Sequence, residues 1–223
     1  MYEITMELPF SGHRIDGKLS LPVSAKSLII FSHGYGRSSL MPHEHRLALA
    51  FQQAGYGTLI FDTVDVYENF SSVADGFEFL TKGLLAATNW LHSHSEYRDL
   101  DLAYCGSGRG AGPAIQVASE LPDIIKAVVC ISGSIDLNKF DLPEIKTPIL
   151  LIVGELDFNI VGGNKKVLKK LDGPKQLAVI PGASHLYEES DKLSEAAHVA
   201  VSWYQKYVRS GKWKPEMVEK SAK

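Results

Sequence analysis

The 223-residue chain has only two cysteines, Cys105 and Cys130. So small a supply leaves nothing for a disulfide-rich scaffold. Both fall late in apolar runs that read as buried strands, so they are expected to be reduced core residues, and a cytoplasmic location fits them. Long apolar runs are missing too. None nears the roughly 20 residues that span a bilayer, so no membrane partner is expected. The opening MYEITMELPF has no basic region followed by an apolar one, and no secretory signal is expected there. Excess charge is also lacking: a net charge of −3 gives no general attraction to nucleic acid, so no nucleic-acid partner is expected. No repeat, low-complexity tract or long linker marks a second domain. Residues 1–223 are therefore expected to form one domain, with a flexible charged tail over 211–223.

What is present alternates between strand and helix patterns. Tyr2 to Leu8 and Ile15 to Leu21 alternate apolar and polar, and a turn through Ser11-Gly12-His13 makes them an antiparallel pair at a sheet edge. Leu28 to Phe31, Tyr56 to Phe61, the run ending at Cys105, Ile124 to Ile131, Ile149 to Val153 and Gln176 to Ile180 read as further strands. Helices are expected from Pro42 to Ala54, through Phe77 to Leu91, from Gly110 to Leu121, from Val161 to Leu171 and from Lys192 to Val208. Thr63 to Ser72 reads as a loop. Such alternation predicts an α/β protein with a mostly parallel sheet flanked by helices on both faces. The stretch between Ile131 and Ile149 is short, so no lid domain is expected.

The organising stretch is DLAYCGSGRGAGPAIQVA, where a strand turns sharply into a helix through Gly106, Gly108 and Gly110. Such a turn needs glycine, because neighbouring Cβ atoms collide and one residue takes positive φ. This is the layout of a nucleophile elbow, G-x-S-x-G, but Gly108 occupies the central position and Ser107 precedes it. Two readings stay open. Either the nucleophile is absent, or the turn is shifted by one residue and Ser107 attacks. A phosphate-binding turn fits less well: the Walker ending is missing. The relaxed dinucleotide pattern through Gly106, Gly108 and Ala111 lacks its acid after Ile131. No cofactor is expected. The His43/His45 and His92/His94 pairs have a spacing seen in metal ligands, but no Cys or Asp cluster accompanies them, so they read as surface histidines and no metal is expected.

Ligands of open α/β sheets bind beyond the carboxyl ends of the strands. There the sequence places HGYGRSS, then the glycine elbow, then Asp157 in GELDFNIV, then His185 in IPGASHLYEES. Elbow, acid, histidine is the chain order of the α/β-hydrolases. Over about residues 20 to 209 the chain resembles the dienelactone-hydrolase-like group of that superfamily. The resemblance implies the α/β-hydrolase fold, with Asp157 as triad acid and His185 as triad base. It also implies the backbone N–H groups of Tyr35 and Arg109 as oxyanion donors. The family nucleophile falls on Gly108. Hydrolysis of small carboxylic esters or lactones, impaired or absent, is the function so implied. The alternatives are a non-catalytic small-molecule-binding protein on the same scaffold, or a hydrolase using Ser107.

Overall fold

The computed structural model describes residues 2–10, 13–23, 25–33, 42–61, 73–136 and 145–209. Eight strands form one sheet: β1 (Tyr2–Phe10), β2 (His13–Leu21), β3 (Ser27–His33), β4 (Gly57–Phe61), β5 (Asp101–Ser107), β6 (Ile125–Ile131), β7 (Ile149–Gly154) and β8 (Lys175–Ile180). The helices are α1 (Pro42–Gln53), α2 (Val73–Ser93), α3 (Ala111–Glu120), α4 (Phe158–Lys170) and α5 (Lys192–Tyr207). Spatial order is β1-β2-β4-β3-β5-β6-β7-β8. Pairs β1·β2 and β2·β4 are antiparallel, and every other pair is parallel. The edge hairpin read from the first 21 residues is therefore observed, with Tyr2 opposite Leu21 and Phe10 opposite His13. Its turn at Ser11-Gly12, the expected loop at 63–72 and the tail at 211–223 lie outside the described residues.

The central strands are buried on both faces, which is why they read as unbroken apolar runs. Alternate residues feed opposite cores. Leu28, Ile30, Leu102, Tyr104, Val128 and Cys130 join the core under α2 and α3. Ile29, Phe31, Ala103, Cys105, Val129 and Ile131 join the core under α1 and α5. In that second core Phe51 meets Tyr204 edge-on at 5.4 Å, and the Tyr204 hydroxyl donates to the Tyr104 carbonyl at 2.8 Å. A helix residue thus satisfies a backbone acceptor in the middle of the sheet. This is the α/β-hydrolase fold, and among the described residues no helical lid is inserted.

Boundaries moved little from expectation. Strand β5 runs two residues past Cys105, to Ser107, because its ladder with β3 continues to the pair His33–Ser107. Helix α4 starts at Phe158 rather than Val161, since Asp157 caps it from the preceding turn.

Backbone crowding positions the elbow. A Cβ on Gly110 would lie 2.1 Å from the Ser32 carbonyl oxygen, so the start of α3 rests directly on β3. Gly162, inside α4, has nothing within 4 Å of such an atom. We therefore expect Gly110→Ala to cost about 2 kcal/mol or more, or to prevent folding. Gly162→Ala should add about 0.5–1 kcal/mol. Chemical denaturation of the two variants beside the parent chain checks the contrast.

Candidate active site

The site is assembled at the carboxyl ends of β3, β5, β6, β7 and β8. After β5 the backbone passes from extended Ser107 (φ −114, ψ 141) to Gly108 at φ +52 and then into a 3₁₀ turn, Gly108–Gly110, that leads into α3. The positive φ thus falls on the glycine that sequence spacing placed at the elbow centre, and not on Ser107. A Cβ at position 108 would have no atom within 4 Å, so the turn leaves room for a side chain. The Gly108 carbonyl accepts from the N–H groups of Ala111 and Ser134, which tie the turn to the segment after β6.

The turns after β7 and β8 are pressed together. A Cβ on Gly154 would lie 2.4 Å from the Ser184 carbonyl oxygen. The N–H of Leu156 donates to Ala183 at 2.9 Å, that of Glu155 to Ile180 at 3.0 Å, and that of Gly182 to the Glu155 carboxylate at 2.8 Å. Held in this way, Asp157 Oδ2 lies 2.5 Å from His185 Nδ1. Its other oxygen accepts from the Ile160 N–H at 3.4 Å, capping α4. One carboxylate therefore serves both a helix and an imidazole. Such a bond puts the proton of a neutral His185 on Nδ1 and leaves Nε2 as the proton acceptor. Asp157 is largely covered and His185 is half exposed. The Ser132 hydroxyl donates to the His185 carbonyl at 2.8 Å, bracing the loop from β6.

These groups share one cavity of about 460 Å³, walled by Ser107, Gly108, Arg109 and His185 together with His33 and Glu44. Leu47, Ile131, Leu186 and Leu193 give it an apolar lining. Tyr35, the other expected oxyanion donor, lies outside the described residues. Ser107 does not bond to His185: its hydroxyl donates to Glu44 Oε1 at 2.8 Å. Glu44 and His33 had not been singled out. Glu44 did carry a signal, because it begins the i, i+3, i+4, i+7 stripe that buries Leu47, Ala48 and Phe51. A charge on a buried stripe is the informative exception. His43, read as a surface histidine, is half-buried on the cavity wall. Glu189 accepts from the Ser184 N–H at 3.0 Å, and that bond holds its carboxyl below the usual range.

Neither cysteine reaches the cavity wall. Burial, and for Cys105 also the nearby Glu44 carboxylate, pushes the Cys105 and Cys130 thiols well up. Both stay protonated at a pH where a free thiol ionises near 8.5. Raised folded-state values make this stability contribution complete below about pH 8.5 and lost as pH rises further. At pH 9 the native chain should therefore leave iodoacetamide untouched, and both thiols should react once denaturant unfolds it. Mass spectrometry of the alkylated chain checks this.

Comparison with known proteins agrees with the fold. The dienelactone hydrolase family model matches residues 16–213. A dienelactone hydrolase from Anabaena variabilis is 31% identical, with a TM-score of 0.86, covering 93% of this chain and 99% of that one. A lidless α/β serine hydrolase from Xanthomonas campestris is 17% identical, with a TM-score of 0.73, covering 93% of this chain and 96% of its own, a likeness of fold alone. Curated relatives from Mycobacterium tuberculosis, provisionally named phosphoribosyl transferases, are 33% identical over 199 residues. That match covers 88% of this chain but only 44% of theirs, so the name belongs to proteins more than twice the matched length. With the family model matching residues 16–213 and a dienelactone hydrolase 31% identical along nearly the whole of both chains, the chain belongs to the dienelactone hydrolase family.

Proposed function

We propose that this chain is a dienelactone-hydrolase-like protein whose cavity takes a small carboxylic ester or lactone, and whose turnover is impaired or absent because Gly108 stands at the nucleophile position. The observation that carries the reading is the positive φ of Gly108 at a strand-to-helix turn, on the same cavity as the Asp157–His185 pair. In that scheme His185 Nε2 would take the proton of an attacking hydroxyl. Asp157 fixes the ring, and the Arg109 and Tyr35 N–H groups receive the developing oxyanion. Gly108 offers no hydroxyl to attack with. Loss of a triad nucleophile costs on the order of a millionfold in turnover in the subtilisin case.

The extended backbone of Ser107 and its bond to Glu44 speak against Ser107 as a shifted nucleophile. A purely ligand-binding role draws support from the cavity itself, which keeps its volume and polar groups without needing a nucleophile. The buried thiols support a cytoplasmic location. No helix among the described residues is long and apolar enough to cross a membrane.

The test is a pair of chains. The parent should hydrolyse p-nitrophenyl acetate little faster than its His185→Ala variant. Gly108→Ser places a hydroxyl where there is space but at φ +52, so it should cost roughly 1 kcal/mol. The same variant should raise esterase turnover by about tenfold or more and form a covalent adduct with an organophosphonate. A Gly108→Ser chain that is more stable and unlabelled would overturn the nucleophile assignment. Parent activity abolished by Ser107→Ala would instead establish Ser107 as the nucleophile.

A further inference from the structure

One wall of the cavity carries two polar atoms that the assigned roles leave unused. Glu44 is 6% exposed and His33 is 4% exposed. Glu44 Oε1 accepts from Ser107, but among the described residues its Oε2 has no hydrogen-bond partner, and neither does His33 Nδ1. His33 sits at the end of β3, in register with Ser107, while Glu44 reaches the same wall from the first turn of α1. The other His33 nitrogen, Nε2, lies 3.1 Å from the Phe61 carbonyl. A carbonyl only accepts, so Nε2 carries the ring proton and Nδ1 of the neutral ring is an acceptor. Both residues line the cavity, so two buried acceptors, one of them on a carboxylate, are left beside it with no donor among the described residues. An uncompensated buried carboxylate oxygen is costly, and a ligand that brings N–H groups and positive charge removes that cost.

We propose that the Glu44–His33 wall is a subsite for a primary ammonium group, so that the cavity takes a small amine with an apolar body. An ammonium has three N–H donors and no acceptor, which complements Glu44 Oε2 and His33 Nδ1. Leu47, Ile131 and Leu193 supply the apolar surface for the body of the ligand. A divalent cation fits less well, because no group of three or more His, Cys, Asp or Glu side chains converges among the described residues. Joined to the hydrolase reading, on which this last step rests, the substrate class becomes an ester or lactone bearing an amine.

Binding can be measured without turnover, which separates this subsite from the hydrolase reading. Benzylammonium and its neutral counterpart benzyl alcohol are titrated into the parent chain, with affinity from calorimetry and position from the His33 and Ser107 resonances. Benzylammonium should bind about tenfold tighter and shift both residues. Glu44→Gln keeps an acceptor for Ser107 but removes the charge, and should bring the ratio to about one. Ser107→Ala keeps the charge and should preserve the preference. Equal affinities in the parent, or binding that leaves His33 and Ser107 unshifted, overturns the subsite even if Glu44→Gln does not fold. So does a folded Glu44→Gln that keeps the preference. An amine preference alongside an unlabelled Gly108→Ser chain sinks the hydrolase reading alone. The reverse pair of outcomes sinks the subsite alone.

Discussion

Close approach of backbone to backbone at the carboxyl edge of the sheet is the constraint on which this site depends. Gly110 lies against Ser32, and Gly154 lies against Ala183 and Ser184, at separations no Cβ could tolerate. The first contact seats α3 directly on β3, which aims the elbow turn at the cavity. The second brings the turn after β7 against the turn after β8, so that Asp157 and His185 meet although 28 positions separate them. Side chains decide the chemistry here, but the absence of side chains at two glycines decides where that chemistry stands.

Around this edge the cavity has two polar sides of different character. On one, Asp157 and His185 bond to each other through Nδ1, and Ser132 braces the His185 backbone. On the other, Glu44 and His33 each keep a buried atom without a partner among the described residues. Native interiors satisfy nearly all buried polar groups, so leftover capacity on a cavity wall points to a ligand. The two sides join at Ser107 and Gly108, where β5 ends.

The fold was legible because its signals were local and repeated. Apolar runs bounded by turns gave the buried strands, and periodic stripes ending at Gly55 or Pro122 gave the helices. Chain order and strand-end position single out Asp157 and His185, whose side chains are bonded to each other. Glu44 was not, because it is recruited across 63 positions by a hydroxyl of another strand, and helix periodicity says nothing about such a meeting. Its place on a buried stripe was the one visible trace. Glu189 escaped for a similar reason: its partner is a backbone N–H, and a backbone group leaves no mark in side-chain chemistry. The three-residue difference at the start of α4 came from the Asp157 cap, which depends on turn geometry more than on composition.

The double duty of Asp157 ties the cavity to the mechanics of a helix. Its two oxygens divide between the imidazole of His185 and the Ile160 N–H in the first turn of α4. Fraying of that helical turn and rotation of the ring are therefore thermodynamically linked: whatever steadies one restrains the other. A ligand that grips His185 also slows the opening of the helix start, so amide exchange at Ile160 becomes a gauge of whether the cavity is filled.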